Sequence, residues 1–553
     1  MADLVLGPLL RRVDATSAVV WVETDAPCDV RVLDAHAPTF TVHGHHYALV
    51  DVGGLTPGTS TAYTVALDDH TVWPEPGAPP SVIRTPAPGG PVGVLFGSCR
   101  VAAGHDPAAV AAHGPDALRA CARRLAADPS AAPTVLLLVG DQVYADAESP
   151  EMTEFIRARR DITRPPGTEI ADFEEYAHLY HLAFGDPDVR WLLSTVPTLM
   201  IFDDHDIRDD WNTSQAWRDD IRAQPWWRAR VTAGLAAYAV YQHLGNLPRD
   251  VRAADPIWRR LHEGGDAGDR LDAFAWHTDS DPEAYRWSYH QDYGGTRLVV
   301  VDSRCARVLT PGARAMLDPG TSAWLDGLCT GDRDHLLIAT SLPYLMPRAV
   351  YDLEAWNEAL ADGRWGAWAR RTSERLRRRF DLEHWAAFHR SSTALARTVM
   401  EVAAGRRGRA PASVVFLSGD VHHSYLTTVT RPRLTSEVHQ AVCSPIRNPL
   451  RGLMRTANQA AAHAPPRVAT RLLTLLAGVR PPPWRWRLRS RPWFTNSLAT
   501  LRLDARTATI TWESPNPEAT TLTPVRRAAL TADRPSPPRS SCGGPRGPVR
   551  RRG

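Results

Sequence analysis

Six stretches of this chain share one design. VGVLFGSC, TVLLLVGDQVYAD, TVPTLMIFDDHD, TRLVVVDSR, HLLIATSLP and SVVFLSGDVHHS each run through continuous apolar residues and end in polar ones. An unbroken apolar run, unlike an alternating one, predicts a strand covered on both faces. Sheets of such strands bind ligands outside the carboxyl ends of the strands. Here those ends carry Cys99, Asp141, Asp203, Asp204, His205, Asp302, Asp420 and His422. Helical or irregular stretches separate the runs, beginning with an Ala- and Arg-rich helical stretch over Pro107–Ala127. The fold class expected is α/β.

Other parts of the chain read differently. Residues 1–85 hold short Val- and aromatic-rich strands between turns (TSAVVWVE, DVRVLD, YALVDV, AYTVALD), a pattern for a small fibronectin-like β-sandwich. Residues 86–92 are dense in Pro and Gly and read as a linker. The catalytic domain is expected over 93–520, with 449–493 as an irregular insertion or lid and TNSLATLRLD and ATITWES as a closing hairpin. Residues 521–553 are Arg- and Pro-rich and read as a disordered tail.

Composition removes several classes. With 43% apolar and 23% charged residues, the chain is neither a disordered polymer nor a coiled-coil rod. No apolar run approaches the about 20 residues of a membrane span. The start lacks a basic, apolar and cleavable leader, so a cytoplasmic location is expected. The 7 Cys are scattered and include no CxxC pair, which argues for free thiols. All 64 basic residues are Arg, so any basic phosphate contact must use a guanidinium fork. Net charge is +3, and the segment from Val525 onward carries +7 of it, leaving a slightly acidic body (3 − 7 = −4). No nucleic-acid partner is expected.

The chemistry lies in four motifs. GSCR, GDQVYAD, DDHD and GDVHHS put Cys99, Asp141, Asp203 to Asp206, and Asp420 with His422 after successive strands. Any one could be a turn or a helix cap. Together they would gather like charges at one sheet edge, an arrangement that bound cations relieve.

The series GD…DDHD…GDVHH resembles the metallophosphoesterase signature. With FGSC, DDHDIRDDWN, VVVDSR and FLSGDVHHSY it resembles the alkaline phosphatase D (PhoD-like) family over about 93–515, and the leading β-domain also fits. The resemblance implies a four-layer α/β/β/α core with a dinuclear or trinuclear metal centre. Asp141 would bridge, and Cys99 and Tyr144 would be thiolate and phenolate donors, a pair that favours Fe3+. Asp203, Asp204, Asp420 and His422 would complete the ligands, and Asn212 could add an oxygen for Ca2+; other divalent ions remain open. The ions would activate a hydroxide. His205 would protonate the leaving oxygen or orient the phosphate, and Asp206 would orient that imidazole. Arg304 could fork a phosphate oxygen or form an ion pair; for Arg100 the ion pair is the first reading.

The implied activity is hydrolysis of phosphomonoesters or phosphodiesters of small-molecule or lipid-derived substrates. Two alternatives stay open: a phospholipase-like diesterase at a lipid surface, and a non-catalytic metal-stabilised scaffold. The Trp-Arg run Trp484–Trp493 is read first as a lid or core cover, and second as a grip on substrate or membrane. His423 and Cys305 read as structural, and His43, His45 and His46 as surface residues.

Overall fold

The computed structural model describes residues 1–147, 149–430, 434–450 and 464–531. Two mixed sheets form the core. The six-stranded sheet runs in the order Thr198–Ile201, Val135–Val139, Val92–Gly97, Leu498–Asp504, Thr507–Pro515, Leu522–Ala529. The first three strands are mutually parallel and the last three antiparallel. The seven-stranded sheet runs in the order Tyr289–Tyr293, Thr296–Val301, His335–Thr340, Ser413–Ser418, Glu437–Val442, Tyr425–Val429, Trp486–Leu488.

Alternate residues of its strands explain the unbroken apolar runs. Leu337, Ala339, Val415 and Leu417 share one buried cluster with Leu95, Leu136 and Leu138 of the six-stranded sheet. Leu336, Ile338, Val414 and Phe416 point the other way, into a cluster with Leu325 and Val399 of the helices Pro319–Leu328 and His389–Ala403. Helices Ala117–Ala127 and Pro187–Thr195 pack into the first cluster through Leu118, Leu125 and Leu192. Both faces of each strand are therefore dry.

The N-terminal domain is β-rich, with two four-stranded sheets and a two-stranded ribbon between Leu4 and Arg84. Arg11 ties it to the core. This fully buried guanidinium donates to the Gln242 carbonyl at 2.7 Å and to Asn246 Oδ1 at 3.0 Å, and lies 3.1 Å from Met200 Sδ. Burial pulls its pKa down to about 10, so it remains charged at neutral pH. A second tie is Glu23, which accepts from His45 Nδ1 (3.0 Å), His181 Nε2 (2.9 Å) and the Tyr241 hydroxyl (3.0 Å). His45 also reaches Glu174 at 2.9 Å. It is a junction residue rather than the surface residue expected.

Three other expectations need correction. The stretch over Pro107–Ala127 is two helices, Pro107–His113 and Ala117–Ala127, broken at Gly114 (φ 72°) and Pro115. Residues 522–529, placed in the tail, form the last strand of the six-stranded sheet, paired along Thr507–Pro515; the rest of the tail from 532 lies outside the described residues. In the 449–493 segment, residues 451–463 lie outside the description, and the remainder holds the helix Ala464–Leu476 and the edge strand Trp486–Leu488. Trp484 and Trp486 are buried, and Trp486 Nε1 donates to the Met346 carbonyl at 2.8 Å. The run covers the core, so these indoles are not available to a membrane.

Two outcomes follow from the ties. Arg11→Met should lower stability by about 2–3 kcal/mol, since it removes hydrogen bonds from a buried charge, and urea unfolding will measure it. In the second tie, burial pushes Glu23 up, but the hydrogen bonds from His181 and His45 outweigh it and hold the carboxyl low. Burial pulls His45 down, but Glu23 and Glu174 outweigh it and hold the imidazole high. Glu23's contribution is lost as pH falls through its lowered pKa, and His45's is lost as pH rises through its raised one. The junction should be firmest between about pH 4.5 and 6.5. Calorimetric midpoints of His45→Gln should fall less than wild type between pH 6 and 8.

Candidate metal centre

The carboxyl ends of the two parallel strand sets meet at one crest. Two glycines allow this approach. A Cβ on Gly419 would stand 2.0 Å from Ser98 Oγ, and one on Gly140 (φ 105°) would stand 2.6 Å from Asp203 Cβ. The backbone turns sharply here: Cys99, Asp141, Asp210, Asn212, Asp420 and His422 all have φ between 51° and 66°. Six non-glycine residues in this sparsely populated region at one crest mark a site whose surroundings hold it in place.

Asp141, Asp203 and Asp204 are buried, and one carboxylate oxygen of each lies within 4.8 Å of the others. Asp141 Oδ1 and Asp203 Oδ2 have no hydrogen-bond partner. Burial first, then repulsion from Asp203, pushes Asp141 well above the usual carboxylate range. Buried oxygens that repel one another and lack donors fit a cation. Cys99 Sγ is 3.2 Å from Asp141 Oδ2, 3.5 Å from the Asp420 carbonyl and 3.2 Å from Ser444 Oγ. Burial, then the Asp141 charge, pushes its thiol well up. Tyr144 packs beside it, its ring 4.6 Å from that of His205. His422 donates Nδ1–H to the Asn448 carbonyl at 2.7 Å, and burial pulls its pKa down. That tautomer leaves Nε2 with a free lone pair, the form a metal takes.

Two assigned roles change. Asp206 does not touch His205. Its Oδ2 accepts the backbone N–H of both Asp141 (2.9 Å) and Asp203 (2.8 Å), and Gln242 approaches Oδ1 at 3.3 Å. Burial lifts its carboxyl to about 7. It is a clamp between the strand ends. The imidazole is instead held by Asp146, 2.9 Å from Nδ1. Burial alone would lower His205, but the Asp146 charge raises it well above 6.5.

Arg304 is likewise no open phosphate fork. It is fully buried, with Nε 2.5 Å from Asp203, Nη1 2.6 Å from Glu383 and Nη2 3.0 Å from Asp204 and 3.7 Å from Asp420. Asp302 fixes its turn by accepting the N–H groups of Arg304, Cys305 and Ala306. The Asn212 amide is also engaged, donating to the Arg304 carbonyl (3.3 Å) while Oδ1 accepts from Arg218 (3.2 Å). This leaves no observed support for a calcium role. Arg100 pairs with buried Asp116 at 2.9 Å, as the ion-pair reading had it. His423 is buried against Phe494, and Cys305 is buried.

Sequence reasoning missed Asp146, although it ends the GDQVYAD motif. It also missed Glu383 and His384, which sit in no motif. His384 bridges Glu354 (2.7 Å) and Asp420 (3.0 Å), and with Arg304 it holds Asp420 down at about 2. Asp209 and Asp210, in the DDWN stretch, also face the crest. Burial and Glu383 repulsion lift Asp210 to about 9.

A family model described as PhoD-like phosphatase matches residues 112–468, which places the chain among the phosphoric ester hydrolases. The chain belongs to the PhoD-like phosphatase family. A domain of unknown function, DUF7800, matches residues 1–85. No curated protein matches. Among solved structures, the chain is similar to that of PhoD, with a TM-score of 0.55 and 12% identity over 95% of this chain and 92% of that one. Purple acid phosphatase PPD1 from yellow lupin (Lupinus luteus) seeds gives 0.48 and 10%, over 95% and 74%.

Gly140→Ala should lower metal affinity by about 10–100-fold, the range for lost ligand support. Its Cβ would displace Asp203 and sit at a φ costly for L-residues. Elemental analysis after dialysis against a chelator will read the loss.

Proposed function

We propose that the chain hydrolyses phosphomonoesters or phosphodiesters at a multinuclear metal centre. Cys99, Asp141, Tyr144, Asp203, Asp204, Asp420 and His422 would hold it. The observation that carries this reading is the buried Asp141–Asp203–Asp204 group, in which Asp141 Oδ1, Asp203 Oδ2 and Asp204 Oδ1 have no hydrogen-bond partner and only the last lies near a cation, Arg304. Bound cations would supply a hydroxide near neutral pH and a seat for the phosphate oxygens. Donor chemistry favours Fe3+ as one ion: burial keeps Cys99 and Tyr144 protonated unless a strongly Lewis-acidic partner draws the protons off. Ca2+ or another divalent ion would suit the carboxylates.

The chain's own residues do the rest. Asp146 holds the Nδ1 proton of His205 and so presents Nε2 to the substrate. The raised pKa of His205 keeps a proton there for the leaving oxygen. Arg304 neutralises one of the crowded carboxylates and keeps the ligands together before ions arrive. Both leaving-group classes suit this arrangement.

The test separates the roles. Asp141→Asn should abolish turnover of a chromogenic phosphodiester and lower bound metal. Asp146→Ala and His205→Ala should each cut kcat by about 100-fold or more with metal retained. Equal metal loss in all three would overturn the assignment of His205 as acid. Full metal occupancy without turnover on mono- or diesters would favour the scaffold reading.

A further inference from the structure

Two helices packed on the helix Arg348–Ala361, Gly366–Arg379 and Ala464–Leu476, carry most of the exposed large hydrophobic residues. Eleven large hydrophobic residues are exposed among the described residues, and seven of them lie here: Trp365, Trp368, Phe380, Val468, Leu472, Leu475 and Leu476. Scattered exposure of apolar residues is normal, but a contiguous patch marks an interaction site.

The helix Ala464–Leu476 faces the wrong way for a helix that only completes a core. Val468, Leu472, Leu475 and Leu476 fall at positions i, i+4, i+7 and i+8, one stripe of a 3.6-residue period. That stripe points to solvent, with Val468 72% and Leu476 64% exposed, while Thr474 is 1% exposed. The polar residue is inside and the aliphatic ones are outside.

The neighbouring helix adds charge. Both helices pack on the helix Arg348–Ala361, and Ala369, Leu360 and Ala477 share one buried cluster. Trp368, Arg371, Arg375 and Arg379 stand at i, i+3, i+7 and i+11 and form an outward stripe. Trp368 is 77% exposed. Among the described residues, Arg371, Arg375 and Arg379 have no carboxylate within ion-pair distance. Neighbouring Arg378, by contrast, pairs with Asp220 and Glu374. Arg371 and Arg375 stand at the rim of an open cleft of about 480 Å³ that Asp220, Asp362 and Glu374 also line, at more than ion-pair distance from these two guanidinium groups.

We propose that this face docks on an anionic lipid bilayer. The aliphatic stripe and Trp368 would enter the headgroup boundary, and the unpaired Arg stripe would meet lipid phosphates. An apolar face flanked by basic residues on a surface helix is the chemistry of interfacial binding, and each basic residue near an anionic surface contributes about fivefold in affinity. The opposed signs of protein stripe and lipid select this occupant over an apolar protein partner, which would leave the Arg residues unpaired. The face also leads straight to the metal centre: Phe380 ends the helix, and three residues on, Glu383 meets Arg304 at 2.6 Å. Docking would set the crest beside a lipid surface. The membrane-contact role passes from Trp484–Trp493, whose indoles are covered, to these two helices.

Co-sedimentation of the full chain tests this independently of catalysis. Vesicles of phosphatidylcholine alone are compared with vesicles carrying one quarter phosphatidylglycerol. The bound fraction should be at least about fivefold higher on the anionic vesicles and should fall in about 0.5 M NaCl. Leu472→Glu with Leu476→Glu, and separately Arg371→Glu with Arg375→Glu, should each reduce binding at least about fivefold. Turnover of a soluble ester in vesicle-free buffer should be unchanged in both, which shows that the variants are folded. The proposal is overturned if wild type ignores both vesicle types, or if light scattering shows a dimer that the Leu472/Leu476 variant dissolves without any vesicle binding by the monomer.

Discussion

One buried guanidinium sits among four carboxylates. Arg304 has no access to water, and Asp203, Asp204, Glu383 and Asp420 all lie within ion-pair distance of it. Without it, the ends of strands from two different sheets would carry uncompensated buried charge, which costs several kcal/mol per ion. Arg307 adds a second guanidinium at Glu383 (2.9 Å) and His384 an imidazole at Asp420 (3.0 Å), while Asp141 lies beyond all three. The crest is held together yet stays electron-rich. Asp141 Oδ1 and Asp203 Oδ2 keep no hydrogen-bond partner within this network, and that is where a cation would fit.

Backbone geometry supplies the second constraint. Four of the ligand candidates, Cys99, Asp141, Asp420 and His422, do not merely follow strands; they have left-handed backbone angles in the turns after them. Asp206 steadies the ends of two strands at once by accepting the backbone N–H of Asp141 and Asp203. Asp302 does the same for Arg304. These carboxylates act on the backbone, and neither touches the space that the ligands surround. Loss of either would move donors by fractions of an ångström, the scale on which metal sites lose affinity.

The strands and the site were legible because both leave local marks. Continuous apolar runs reflect burial on two faces, and the Gly-Asp that ends two of them, at Asp141 and Asp420, marks a tight approach. The positions of Asp141, Asp204 and His422 at the strand ends could be read from those marks. Partner choice was not legible. Asp206 follows His205 directly, yet Asp146, 59 positions earlier, holds the imidazole. Glu383 and His384 lie in a connecting segment with no pattern and reach the crest only through tertiary packing. Arg304 looked like a phosphate grip because charge alone does not reveal burial. The strand Leu522–Ala529 was hidden by a composition that resembles a tail: its outward residues are polar and Arg-rich, and only its pairing with Thr507–Pro515 reveals it.

The strand order of the six-stranded sheet fixes when the enzyme can become one. Val92–Gly97, which delivers Cys99, lies between Val135–Val139 and Leu498–Asp504. During synthesis its second neighbour emerges some four hundred residues later, and until then that edge is open. Pairings so distant in sequence form late and slowly. The nascent polypeptide therefore spends most of its translation as an incomplete sheet with an open edge beside the strand that delivers Cys99.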